Sequence, residues 1–448
     1  MQRIYEPPAY GPASHQECFW PTTVGRPAAR PILEGAASTE FAVIGAGYTG
    51  LSAALHLARD HGADVAVLEA EEPGWGASGR NGGFCCLGGA KASHARLLAR
   101  HGEADTAEYH RAERAAIDLV AELLARHRIR ADTHSAGETI LAHRPGAMAG
   151  LRREAEAVGR IHCVKPVLVP REELAAHGMN GPHFHGALTV PIGFALNPLK
   201  YALGLARAAE EAGARIFARS PVTAISREPG GGFRLTCAKG TLRARRLLLA
   251  TNGYSSDDLP PWMAARYLPA QSNIIVTRPL SDAELASQGW TTAQMAYDTR
   301  HLLHYFRLMP DGRFLFGMRG GVRASPPALA AMRRRLKADF ARLFPAWADV
   351  EATHFWAGLI CLRPELTPYA GPIGDWPDAW AAFAYHGNGV AMGTHCGALL
   401  ADMATGRKGA RPFPALMRKP PRRFPFGRWR RILLPAAYAW YGLQDRGP

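Results

Sequence analysis

The sequence predicts an α/β fold combined with antiparallel β structure: a discontinuous Rossmann-type domain into which a second domain, built on an antiparallel sheet, is inserted. Three observations carry this expectation. A strand, a glycine-rich turn, a helix and a second strand follow one another from Thr39 to Glu69. The same strand-and-helix pattern resumes after Asn197, far along the chain. Between 257 and 360, short strand-like runs alternate with turns such as Pro310-Asp311-Gly312.

Each element has a local reason. Thr39 to Ile44 (TEFAVI) is a continuous apolar run, the mark of a parallel strand buried on both faces. Leu51, Ala54, Leu55 and Ala58 recur at helical spacing, and Gly62 is a natural stop. Asp64 to Leu68 is a second strand, closed by Glu69. Gly74 to Gly89 is too rich in glycine for a helix or strand interior. Residues 103 to 128 have helical composition, with Ala112, Ala116, Leu119, Val120 and Leu123 on one face. Asn197-Pro198 opens another helix with a cap and a first-turn proline. Strands are expected at Ala214 to Arg219, Leu247 to Ala250, Asn273 to Thr277, His304 to Leu308, Arg313 to Phe316 and Trp380 to Ala384. A last helix runs from Val390 to Thr405.

Composition excludes several classes. A chain of 448 residues is too long for one simple core. Its 47% hydrophobic and 20% charged residues argue against disorder. No apolar run reaches the length of a membrane span. The N-terminus carries Pro7, Pro8, Pro12, Pro21, Pro27 and Pro31 and no apolar segment with a cleavage site, so an extended arm on the body is expected and a signal peptide is not. The seven cysteines lack any Cys-x-x-Cys spacing, so neither a metal site nor a disulfide framework is expected, and a reducing cytoplasm fits. Of the net charge of +15, residues 411–448 supply eight, through nine basic residues including Arg446 and the single acid Asp445. The basicity therefore belongs to an appendage, and the body is not required to bind nucleic acid.

The glycine loop Gly45-Ala46-Gly47-Tyr48-Thr49-Gly50 carries the first chemistry. Binding a pyrophosphate needs a tight turn, a backbone open to close approach and a helix N-terminus aimed at the negative charge. Gly45, Gly47 and Gly50 stand at the positions that provide these, and Glu69 is placed to accept from ribose hydroxyls. Alone the motif is weak; with both strands, the helix and the acid it specifies a dinucleotide. The stretch Gly74-Trp75-Gly76-Ala77-Ser78-Gly79-Arg80-Asn81-Gly82-Gly83 then separates FAD from NAD, because a small-residue backbone directly after the ribose-binding strand can follow a ribityl chain and an isoalloxazine ring.

GAGYTGLSAALHLA, VLEAE, GWGASGRNGG, TNGY and YHGNGVAMGTHCG together resemble the D-amino-acid-oxidase-type flavoprotein superfamily, to which glycine and sarcosine oxidases belong. Within it, GWGASGRNGG and YDTRHLLHYFRLMPDGRFLFGMRGG most resemble the gamma-glutamylputrescine oxidoreductase group; Phe84 departs from the polar residue expected there. The resemblance implies an FAD-dependent oxidation of a C–N bond in an amine or amino acid, such as a gamma-glutamylated amine, with oxygen or another electron acceptor. A same-fold dehydrogenase serving a quinone or carrier is the second enzyme reading, and an FAD module of an RNA-modifying protein a remote third. It places FAD contacts at the glycine loop (45 to 50), Glu69, Ala70, Gly76, Ala77, Ser78, Arg80, Asn81, Gly82 and Gly83. Further contacts are implied at Val222, Thr251, Asn252, Gly253, Gly387, Asn388, Gly389, Val390 and Ala391. The N-terminus of the last helix would face the flavin's C2 carbonyl and stabilise the reduced anion.

The expected domains are an arm at 1–38, an FAD-binding domain at 39–100, 194–256 and 366–410, a substrate domain at 101–193 and 257–365, and a tail at 411–448. Candidates for the substrate pocket are Tyr254, Tyr305, Arg307, Trp356, Arg363 and Tyr385, with Arg307 or Arg363 available to a substrate carboxylate. Cys361, in WAGLIC, resembles in position the cysteine that links covalently to FAD in monomeric sarcosine oxidases; a buried free thiol and non-covalent FAD are the expectation. The tail mixes arginines with aromatics but shows no clean helical stripe across its prolines, which favours packing on the body over contact with a membrane surface.

Overall fold

The structure, a computed structural model, describes residues 1–11 and 17–445; Pro12 of the arm and Arg446 of the tail lie outside the described residues. Two large sheets organise the chain. The first runs Tyr369–Pro372, Ala379–Phe383, Gly240–Leu249, Gly35–Ile44, Val65–Leu68, Arg215–Phe217, with Phe233–Thr236 paired to Gly240–Leu249 and Ala224–Arg227 paired in turn to Phe233–Thr236. Its central pairings are parallel, from Phe41↔Val65 on one side of Gly35–Ile44 to Ala42↔Leu247 on the other. Phe41 and Val43 pack against helices, while Ala42 and Ile44 pack on the opposite face. Burial on both faces is why this strand reads as an unbroken apolar run.

Helices Tyr48–His61, Pro198–Glu211 and Gly389–Thr405 cover one face. Asn197 caps the second as the sequence suggests, its side chain accepting from Lys200 N at 3.1 Å. Tyr48–His61 lies close against Gly389–Thr405 because Gly393 and Gly397 face it: a Cβ on Gly397 would stand 2.3 Å from the Thr49 carbonyl.

The second sheet runs Ala352–Leu362, Leu268–Pro279, Arg313–Arg319, His304–Leu308, Met295–Asp298, Glu138–Leu141, Gly186–Val190, Val167–Pro170. It is antiparallel except where Met295–Asp298 meets Glu138–Leu141. Its outer face carries an aromatic core of Phe184, Trp290, Phe306, Phe314, Phe316, Phe340, Phe344 and Trp347.

Three elements correct the sequence reading. Pro326–Leu343 is a helix in a stretch expected to hold only strands and turns; only Leu336, Phe340 and Leu343 are buried, so its apolar stripe is short. Ala147–His162, in a stretch of mixed signals for which the sequence predicts no helix, is also helical and buries only Leu151 and Val158. The tail contains the helix Leu433–Gln444, in which Pro435 falls in the first turn, where the missing N–H has no intrahelical partner to lose.

The arm and the tail both lie on the body. Trp20 is fully buried against Trp356, and Tyr5 and Tyr10 pack with Leu434 of the tail. Arg430 is fully buried, with Nη2 and Nη1 at 2.6 and 2.8 Å from the Asp257 carboxylate. Phe426, Trp429, Ile432, Trp440 and Leu443 remain exposed. Among the described residues no helix is long and apolar enough to cross a membrane.

Candidate active site

A cavity of about 550 Å³ runs from the carboxyl edge of the first sheet to the inner face of the second. Such a crevice at the strand ends is where open α/β sheets bind ligands. One end is bounded by Glu69, Ala70 and Val222, the middle by Gly45, Gly47, Tyr48, Thr49 and Ser78, and the far end by Gly82, Tyr305 and Gly387 to Val390.

The glycine loop is shaped by contacts that forbid side chains. Gly45 has φ of +103°, and its amide donates to Leu68 O at 2.9 Å. A Cβ on Gly50 would lie 1.8 Å from the Gly45 carbonyl, and one on Gly47 would lie 2.8 Å from Ser78 Oγ. Gly47 and Asn388, the residues preceding the two cavity-facing helices, offer no capping side chain. Two helix N-termini therefore open on one cavity, a setting suited to an anionic or carbonyl-bearing ligand at each. Glu69 accepts from Ala46 N at 2.6 Å and Glu71 N at 3.0 Å, and desolvation raises its pKa against those bonds.

The lining includes most residues expected around FAD. Gly45, Gly47, Tyr48, Thr49, Glu69, Ala70, Gly76, Ala77, Ser78, Arg80, Asn81, Gly82, Val222, Thr251, Asn252 and Gly387 to Val390 face the cavity. Ala46, Gly50, Gly83, Gly253 and Ala391 are not in its lining. Gly50 and Gly253 serve close backbone approach instead, the latter with Leu359 O at 3.0 Å from a would-be Cβ.

On the substrate side the structure divides the candidates. Tyr254, Tyr305 and Tyr385 line the cavity. Tyr305 Oη pairs with Ser272 Oγ at 2.7 Å, Tyr385 Oη with Thr49 Oγ1 at 2.7 Å, and Tyr254 Oη accepts from Leu359 N at 3.3 Å. Phe84, the departure noted above, also lines it and meets Tyr305 edge-on at 5.9 Å.

Arg307, Trp356 and Arg363 do not line it. Arg307 shares a sheet face with Tyr305 but sits two residues further along. There Trp20 of the arm covers it, and it donates to Leu196 O at 2.8 Å; burial lowers its pKa to about 9. Trp356 donates to Arg80 O at 2.8 Å beneath the same tryptophan. Arg363 donates to Thr367 Oγ1 at 2.8 Å and to the carbonyls of Leu416 and Lys419, which makes it an anchor for the chain's C-terminal part.

Of the second sheet's strand arginines, Arg319 is the one that lines the cavity, and the sequence reading passed over it. It donates to His386 O at 3.1 Å, and no carboxylate among the described residues lies within ion-pair distance. Strand register placed it there: Arg319 pairs with Ser272 and Tyr305 with Gly317, so all project from one face. His386 is buried beside it; Nδ1 meets Gly89 O at 2.8 Å, Nε2 meets Arg363 N at 3.3 Å, and burial lowers its pKa to about 3, so the imidazole is neutral. Glu138, Tyr297 and Cys86 complete the wall and were also missed, because nothing in the sequence says which strand faces inward. Cys361 lines the cavity too, and burial pushes its thiol up to about 12.

Elsewhere, His110, Glu113 and His162 place ligand atoms within 4.8 Å of one another. This metal-type grouping escaped the sequence reading because its members come from two helices.

A cavity joining a glycine-loop helix to a second helix N-terminus fits an extended dinucleotide. The chain belongs to the DAO family, FAD dependent oxidoreductase, whose profile matches residues 40–403. It is 31% identical to the probable oxidoreductase OrdL of Rhizobium meliloti (strain 1021), covering 97% of this chain and 99% of the relative. It is 30% identical to the gamma-glutamylputrescine oxidoreductase of Escherichia coli (strain K12), covering 96% and 99%. Among solved structures, glycine oxidase from Geobacillus kaustophilus superposes with a TM-score of 0.69 at 20% identity, covering 84% of this chain and 96% of that one. That last likeness concerns the fold.

Proposed function

We propose that this FAD-dependent oxidoreductase oxidises a C–N bond in an amine or amino acid, with a gamma-glutamylated amine as a fitting substrate. The carrying observation is the far end of the cavity, where Arg319 has no carboxylate partner among the described residues and Tyr305 and Gly82 bound the same space. The name and near-complete coverage of the Escherichia coli relative support the same substrate class.

FAD, when bound, supplies the acceptor for the hydride leaving the carbon beside the nitrogen, and water hydrolyses the resulting imine. The Gly45–Thr49 backbone would hold the pyrophosphate of FAD and Glu69 its ribose. The Gly387–Val390 turn, with the helix N-terminus that follows it, would hold the flavin end of the group. Arg319 keeps donors free for a substrate carboxylate, and a neutral His386 adds no competing charge. Phe84 and Tyr305 exclude water from the wall between them.

The test is anaerobic bleaching of the purified yellow protein by gamma-glutamyl amines, polyamines, N-methyl amino acids and D-amino acids, followed by admission of oxygen. Bleaching by an amine of this panel is expected, and the rate of reoxidation tells oxygen from another acceptor. A flavin that none of them bleaches refutes the proposal.

A further inference from the structure

Glu138 stands at the start of the strand Glu138–Leu141, on the inner face of the second sheet, and lines the cavity. The register continues the row already described, since Tyr305 pairs with Tyr297 and Tyr297 with Ile140, two residues along the strand from Glu138. The Glu138 side chain is 4% exposed, and its Oε2 has no hydrogen-bond partner in the protein. Its neighbours are the Cys86 thiol and the Tyr297 hydroxyl, both lining the same cavity.

The charged groups facing Glu138 make its position more demanding. Glu113 and Glu154 add like charge, and with desolvation as the largest cause they push its carboxyl up to about 8. Among the described residues no lysine, arginine or histidine pairs with it; Arg319, on the same cavity and acting on Tyr297 and Cys86, forms no ion pair with it, and Arg300 pairs with Asp298. Buried beside acids and weak donors, this carboxyl keeps its proton at neutral pH and ionises readily only when a cation pairs with it. The cavity that Glu138 lines gives such a cation access to it.

Resting on the amine reading above, we propose that Glu138 binds a protonated amino group of the substrate, at a nitrogen other than the one oxidised. The reacting nitrogen must be neutral to release hydride from its carbon, and an ion pair with a carboxylate would hold it charged. The enzyme's substrates are then amines bearing a second cationic nitrogen, such as α,ω-diamines or amines carrying an α-amino acid head. On binding, a proton held by Glu138 leaves to solvent and the carboxylate pairs with the ammonium.

The probes are an α,ω-diaminoalkane and the amino alcohol of the same length, titrated anaerobically into the holoenzyme while flavin absorbance is followed. Wild type is expected to bind the diamine about ten- to a hundredfold more tightly, the range of a charge-assisted hydrogen bond. In Glu138→Gln this preference collapses while amino-alcohol affinity stays within about threefold. The same preference in the variant, or none in wild type, overturns the assignment. If the variant does not fold, wild type alone decides: the preference is expected to shrink as pH falls from about 9 to about 6, as Glu138 takes up its proton. A preference constant across that range overturns the proposal. If both compounds bleach the flavin but are not distinguished, Glu138's role falls alone; if no amine bleaches it, the underlying function falls as well.

Discussion

Replacing Gly50 by alanine tests how the glycine loop presents its helix. The added Cβ would lie 1.8 Å from the Gly45 carbonyl oxygen, 3.1 Å from its carbon and 3.2 Å from Val43 Cγ1. Relief to van der Waals distance needs a shift of about 1.5 Å. The loop cannot yield, because Gly45 is itself held by its bond to Leu68 O and has Ala250 O 3.0 Å from its own Cβ position. Nor can the helix retreat, because Gly397 already brings Gly389–Thr405 into contact with Thr49. Overpacking of this kind costs about 1–3 kcal/mol, and at roughly 2–4 °C per kcal/mol Tm falls by several degrees. Displacing the N–H groups of the helix start is expected to weaken FAD at least about tenfold. Ultrafiltration with flavin absorbance measures retention, and thermal melts with and without added FAD measure stability. Gly150→Ala is the control: it sits within Ala147–His162 with nothing within 4 Å of its Cβ position, and its replacement should be neutral or stabilise slightly. Wild-type flavin retention and Tm in Gly50→Ala would refute the reasoning.

Other outcomes follow from single contacts. Arg430→Ala leaves Asp257 buried without its cation and should destabilise by roughly 3–5 kcal/mol, read as a lower Tm and earlier proteolysis of the tail; an unchanged digestion pattern would count against the tail's anchoring. His304 has its pKa raised, desolvation being outweighed by Asp298 at 2.8 Å and by Asp339 at 3.4 Å. Its contribution is fully present below the ordinary histidine value of about 6.5 and is lost as pH rises through the raised one. The Tm deficit of His304→Gln should therefore be larger in mildly acidic than in alkaline buffer, and an equal deficit in both would deny the ion pair a role. Because burial holds the Cys361 thiol protonated, acid precipitation should leave all yellow colour in the supernatant, whereas colour in the pellet would mean a covalent bond.

The legibility of the site differed along its length. The placement of the glycine-loop end could be read residue by residue, because Gly45, Gly50 and Glu69 are fixed by local backbone geometry within one βαβ unit. The substrate end could not. Arg307 and Arg319 both occupy strands of the second sheet and share the face of Tyr305, so alternation alone does not choose between them. Trp20, nearly three hundred residues earlier in the chain, covers the end where Arg307 lies and leaves Arg319 on the cavity. Arg363 was misplaced for a similar reason: its partners are carbonyls of Leu416 and Lys419, beyond the last strand.

By itself, then, the sequence determined the fold class, the FAD-dependent chemistry and the helix start that opens on the cavity. These depend on patterns of short range, in which a glycine, a cap or an apolar run is constrained by its immediate neighbours. Tertiary structure alone decided which of the second sheet's strand arginines reaches the cavity, that Glu138 is buried there without an ion pair, and that the tail is anchored through Arg430. Each of those depends on which distant segment covers a given face, and burial, unlike periodicity, is a property of the assembled chain.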